Sequence, residues 1–412
     1  MMESEIAGWL SVVFRFVHVI AGIMWIGNSI LFTWMELNLI PPAPGKPDAQ
    51  GKTPENPLLG HLDMLHGGGV FHLEKRVINP QAIPTPLHWF MWQSYTTWIT
   101  GTLLLISTFY IQGGSALLDA TKSTLNGSSA IALSVAGILG GWLVYDTIWR
   151  TKLKEYRALA AALTLAFILT AAHLYNQHFN GRAVYLQIGA MMGTFMSANV
   201  YFHIIRNQKK FMASLEAGLP HDPNYGKQAK LRSLHNHYMT FPVVFMMLSA
   251  HFPQLTSASR NVPILATIIL TLVSVKFLMN SRYYFRPWLT CIFACFTLAC
   301  IAISLLLAEP APPSNTPQSA AEAGATAFIR HGCAACHQAG SSQIAPNLQG
   351  ILGSLRTLSD GSELIANEAY LHRSIAQPQA QIVKGYPPAM PSFAHLPTRE
   401  INELVAYLIS LK

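Results

Sequence analysis

Eight apolar stretches decide what this chain can become. They lie near residues 7–35, 86–111, 128–150, 157–179, 181–206, 233–253, 262–283 and 286–307. Each, as a helix, is long enough to cross a hydrocarbon core of about 30 Å. Inside such a core no water satisfies the backbone amides, so helices or closed barrels are the only spanning solutions. Only 11% of residues are charged and mean hydropathy is +0.31, which excludes an ordinary soluble globule. The net charge of +8 sits mostly in loops between these stretches, so it speaks for membrane orientation and against a nucleic-acid partner. The opening Met-Met-Glu-Ser-Glu has no basic region and no cleavage site, and the first apolar run is expected to be a retained helix.

A second constraint comes from Cys333-Ala334-Ala335-Cys336-His337. Cys-x-x-Cys-His is the attachment sequence for c-type haem: two thiols bond the vinyl groups and the adjacent His ligates iron. The region from Ala320 to Lys412 contains one methionine, Met390, set between prolines in Tyr386-Pro387-Pro388-Ala389-Met390-Pro391. It is the expected second axial ligand. Ala345-Pro346-Asn347-Leu348 is placed to supply a carbonyl that holds the His337 ring. A redox Cys pair or half a zinc site are the alternatives, and both are weakened by the adjacent His and the lack of a second Cys pair. Cys291, Cys295 and Cys300 lie in an apolar stretch and read as packing residues.

Haem c is attached outside the cytoplasm, so the C-terminus is expected in the periplasm of a bacterial inner membrane. An even number of spans brings the N-terminus to the same side. The basic residues agree. Loops assigned to the cytoplasm hold sixteen Lys and Arg, from Lys46 to Arg286, against Lys122, Arg182 and Arg260 opposite. The expected organisation is all-α: an eight-helix membrane domain over 1–308, a Pro/Ala/Ser tether over 309–321, and a small cytochrome c over 322–412. A weak likeness between residues 16–22 and 185–191 hints at two four-helix repeats. In the loop 36–85, His66-Gly67-Gly68-Gly69-Val70-Phe71-His72 has no phosphate-loop or esterase context and reads as a surface hairpin.

Ionisable groups inside spans are expensive and usually functional. The topology sorts them into two levels. Arg15, His18, His173, His178, Gln187 and His251 lie near the periplasmic face. His88, Trp92, Gln93, Asp146, Asn199, His203, His235, Asn236, His237, Lys276 and Asn280 lie near the cytoplasmic face. Two uses fit: paired His ligands for a b-type haem, drawn from His18, His173 and His251, or a polar substrate site with His as base, amides as partners and aromatic rings as a stacking face.

These residues resemble the integral membrane, cytochrome c-linked urate oxidase family over nearly the whole chain. The likeness rests on His66-Gly67-Gly68-Gly69, Leu87-His88-Trp89-Phe90, Tyr95-Thr96-Thr97-Trp98, Gly141-Trp142-Leu143-Val144-Tyr145-Asp146, Gly181-Arg182-Ala183, Ala198-Asn199-Val200 and Arg232-Ser233-Leu234-His235-Asn236. Gln187 stands where His is expected in many relatives, and His237 where Asn is frequent. The resemblance implies oxidation of urate to 5-hydroxyisourate, with electrons passed to haem c and on to a soluble or membrane cytochrome or terminal oxidase instead of dioxygen. His88, Trp92, Gln93, Asn199, His235 and His237 are the expected catalytic set. Around Arg15, His18 and Trp25 the first helix also resembles membrane protoporphyrinogen oxidases and copper-resistance proteins, which implies haem b near His18. Two other functions stay open at this point: an electron carrier fed by quinol or another membrane donor, and a porphyrinogen-oxidising protein.

Overall fold

The computed structural model describes residues 2–42, 58–78, 83, 86–111, 113–119, 121–219, 222, 224–308, 319–337 and 345–411. They form two compact units, one of residues 1–104 with 193–240, the other of 105–192 with 241–412. Among the described residues six helices are long and apolar enough to cross a membrane: Trp9–Asn38, Gly127–Arg150, Arg157–Asn176, Gly181–Glu216, Asn261–Ser281 and Trp288–Leu307. The other two expected spans are helical but differ from the apolar runs. One starts at Trp92, not at 86, and continues past Leu105 through a π-helical segment Ile106–Tyr110. The other starts at Asn224, not at 233, ends at Leu248 and contains Pro242. Its first half carries Lys227, Lys230, Arg232 and Asn236, and those polar residues dilute its hydropathy.

The chain is mostly helical, as expected, with two short β-hairpins among the helices. Leu58–His66 pairs antiparallel with Gly69–Arg76, with His66 opposite Gly69. Gly67 and Gly68 make the two-residue turn with φ of 60° and 80°. Two consecutive positive φ values match the twist of the strands, and glycine adopts them without strain. This is the surface hairpin predicted from the glycine run. The second hairpin pairs Leu355–Thr357 with Glu363–Ile365.

In the second unit, buried hydrogen bonds tie the membrane helices together. Tyr185 Oη donates to the Asn261 carbonyl at 2.8 Å, and Asn261 Nδ2 donates to Asn176 Oδ1 at 2.8 Å. Lipid is as apolar as leucine, so such bonds and close packing do the work that hydrophobic burial does in water. Cys291 and Cys295 are half-buried and Cys300 is exposed, none of them in a disulfide.

The C-terminal part of this unit closes around an apolar core. Ser319 starts helix Ala320–Arg330 with a reciprocal cap: its Oγ accepts from Glu322 N at 3.3 Å while Glu322 Oε2 accepts from Ser319 N at 2.9 Å. The helix therefore takes over the last residues assigned to the tether, and 309–318 lie outside the described residues. Helix Ala320–Arg330 crosses helix Thr398–Ser410 at Gly324, where a Cβ would stand 1.8 Å from the Glu403 carbonyl oxygen. Only a hydrogen fits. Ala327, Ile351, Leu371, Leu404 and Val405 close the core around that crossing.

Candidate functional site

The attachment sequence sits just after the end of the Ala320–Arg330 helix. Gly332 turns the chain with positive φ, and Cys333–Ala335 form a single 3-10 turn. His337 N bonds to the Cys333 carbonyl at 3.0 Å, so the thiols and the imidazole are gathered on one tight loop. His337 Nδ1 donates to the Pro346 carbonyl at 2.9 Å, the brace expected from Ala345–Leu348. That bond fixes the tautomer and leaves Nε2 as the basic nitrogen. Burial lowers the His337 pKa, the Pro346 bond opposing, which favours the neutral form that binds metal.

Burial pushes the Cys333 thiol up to about 12. It raises Cys336 as well, against the opposing charge of Arg182. A redox Cys pair works through a lowered thiol pKa, so these thiols fit that role badly. Neither is in a disulfide. Among the described residues no three His, Cys, Asp or Glu side chains converge as a zinc site requires. Met390 is half-buried in a fixed loop: Gln379 Nε2 donates to the Pro388 carbonyl at 3.1 Å and to the Met390 carbonyl at 3.2 Å. A braced imidazole, two neutral thiols and one thioether on a fixed loop together fit a covalently attached haem.

The first unit holds a buried polar cluster. Asn199 Nδ2 donates to Asn236 Oδ1 at 2.9 Å, and Asn236 Nδ2 donates to the Met196 carbonyl at 2.9 Å. Arg232 Nη1 donates to Asn199 Oδ1 at 3.3 Å. Arg232 is only 3% exposed, although its charge reads in sequence as a loop residue. The available signal was spacing: Arg232 lies four residues before Asn236 and so on the same helix face. Asn199 opens a π-helical segment, Asn199–Ile205, within the Gly181–Glu216 helix. Such segments recur at functional sites.

The other expected catalytic residues belong to the same unit at differing depths. His237 is buried. Its Nδ1 donates at 3.3 Å to Thr33 Oγ1, whose own hydroxyl is committed to the Ser29 carbonyl. His235 and Gln93 are half-buried, while His88 and Trp92 are exposed, His88 preceding the helix altogether. Trp92 begins a file of edge-to-face rings through Tyr95, Tyr201 and Phe202, with centroid spacings of 6.0, 5.9 and 4.9 Å.

The three histidines expected for a b-type haem are not alike. His18 Nδ1 donates to the Thr97 carbonyl at 2.9 Å with Thr100 Oγ1 at 3.1 Å, and Gly101 lies against its ring. That braced posture is one a metal ligand adopts. His173 and His251, in the second unit, are exposed.

Elsewhere the polar residues expected inside spans are built into the helices. Asp146 pairs with Arg150 at 2.6 Å, Lys276 Nζ lies 4.3 Å from the Phe241 ring centroid, and Gln187 Oε1 accepts from Ser134 Oγ at 2.7 Å. Comparison with known families gives two matches. The family described as Urate oxidase N-terminal matches residues 4–307, and the one described as Cytochrome c matches residues 321–412. No curated protein matches the chain.

Proposed function

We propose, from the premise that the chain belongs to the urate oxidase N-terminal family, that it oxidises urate to 5-hydroxyisourate and sends the electrons to its own cytochrome c domain. Urate plus water gives 5-hydroxyisourate, two protons and two electrons. The site must therefore hold a planar anion, admit water at C5 and take up protons. The buried Arg232–Asn199–Asn236 array carries this reading. It offers a cation and two amides inside an apolar bundle, where an unmatched charge is costly.

In this reading Arg232 faces the urate anion, and Asn199 and Asn236 orient its amide edges. The Trp92–Tyr95 rings supply the stacking face. His237, with Nδ1 held by Thr33, receives a proton at Nε2; His235, His88 and Gln93 complete the polar wall. Cys333 and Cys336 would hold haem c through thioethers, and His337 and Met390 would hold its iron. Bound there, haem c would supply a one-electron acceptor, so the two electrons would leave one at a time. A downstream cytochrome or terminal oxidase receives the electrons.

The same reading assigns residues 1–308 to the membrane domain, 309–321 to the tether and 322–412 to the cytochrome. It counts Trp92–Leu105 with its π extension, and Asn224–Leu248, as the seventh and eighth crossings. Both termini then lie in the periplasm of a bacterial inner membrane. The test is an anaerobic visible spectrum of the purified protein before and after urate. Loss of urate absorbance with rising reduced c-type bands is expected. A dithionite-reducible haem that ignores urate would overturn the assignment and favour a quinol-fed carrier.

A further inference from the structure

We infer that Arg182, at the start of the Gly181–Ala198 helix, belongs to the electrostatic surroundings of the haem on the C-terminal domain, and that the Pro253–Thr256 turn is the seat on which that domain docks. The inference rests on the reading that Cys333 and Cys336 carry haem c.

Three segments distant in sequence meet here. Gly332, immediately before Cys333, lies so close to the seat that a Cβ would stand 2.7 Å from Pro253 Cβ and 3.2 Å from its carbonyl carbon. Gly332 also has a φ of +71°, so the position excludes side chains twice over. On the other flank, a Cβ at Gly181 would stand 1.7 Å from the Thr256 carbonyl oxygen. The turn is thus wedged between the attachment sequence and the helix start that carries Arg182. Arg182 directly follows Gly181 and Cys333 directly follows Gly332, so the cation and the attachment sequence flank one four-residue turn. Arg182 also belongs to the sparsely charged side of the expected topology, the side on which haem c is attached.

Beside the contact opens a cleft of about 370 Å³, lined by Gln254, Ser257, Leu307, Ile329 and Arg330 among others. Domains of one chain move relative to one another by default, so the cytochrome domain can dock and leave.

A fixed cation beside a haem favours the reduced form, because reduction removes one positive charge from the iron. Docking therefore makes the haem a better acceptor. Once the domain leaves the seat, the haem becomes a better donor.

The test is a spectroelectrochemical titration of the full chain in detergent. Arg182→Gln is expected to shift the oxidised-to-reduced ratio at fixed potential by about tenfold towards oxidised, which is 59 mV for one electron. Arg182→Lys should restore most of the wild-type value. Pro253→Trp, which wedges the seat open and leaves the cation in place, should lower the potential in the same direction. Equal potentials in wild type, Arg182→Gln and Pro253→Trp would overturn the inference while covalent haem remained in place. A wild-type protein without covalent haem would instead remove the haem c reading beneath it.

Discussion

The cytochrome region and the membrane helices have opposite interiors. Around the Gly324 crossing, Leu404 and Val405 are 2% and 1% exposed. On the membrane helix Trp288–Leu307, Phe293 and Leu298 are 63% and 66% exposed. The fully buried residues of the membrane helices include Ser94, Gln187 and Asn199, with Lys276 nearly so. The cytochrome region turns its apolar side chains inward as burial in water favours, and the long apolar helices turn theirs outward, which is consistent with lipid around them. In the cytochrome, burial explains itself. A buried amide or guanidinium in the membrane helices needs another cause, and hydrogen-bonded packing or chemistry supplies it.

Substitutions can break this contrast at graded strength. Replacing Cys333 and Cys336 together by Ala should abolish covalent haem, an all-or-none change visible by haem staining of a denaturing gel. Leu404→Ala should destabilise the cytochrome region by about 2–5 kcal/mol, seen as early loss of its thermal transition. Asn199→Leu removes a partner of both Arg232 and Asn236, with an expected cost of about 1–3 kcal/mol. Urate-dependent haem reduction should then slow at least about tenfold. A wild-type rate in that variant would separate the buried cluster from the chemistry. Ser319→Ala, which removes the cap of the first cytochrome helix, should cost about 1 kcal/mol. Leu298→Ala changes an exposed side chain and should alter thermal stability by less than about 0.5 kcal/mol. A larger loss there would mean that a partner, not lipid, covers that face.

What was legible in the sequence follows the same divide. The expected haem attachment sequence is contiguous and its Pro346 brace lies close by in the chain, so Cys333 to His337 and that brace could be read directly. The Gly67-Gly68 turn was legible for the same reason: its backbone geometry is dictated by two adjacent residues. The buried cluster was only half legible. Asn199 and Asn236 stood out as amides in apolar surroundings, but Arg232 counted as loop charge because the helix around it starts nine residues before the apolar run, at 224 instead of 233. Burial of a charge is decided by neighbours from other helices, and no local pattern announces them. The exposure of His88, His173 and His251 was hidden in the same way.

The π-helical segment at Asn199–Ile205 has an evolutionary reading. A π turn holds one more residue than an α turn, so it is how a helix absorbs a single-codon insertion without losing either end. The wide turn takes up the roughly 100° of one α-helical step, so residues on either side keep the faces they would show without the extra residue. The change is thus confined to the turn that Asn199 opens. Removing one residue between 199 and 205 should keep the helix and the faces of both its ends and alter only that turn.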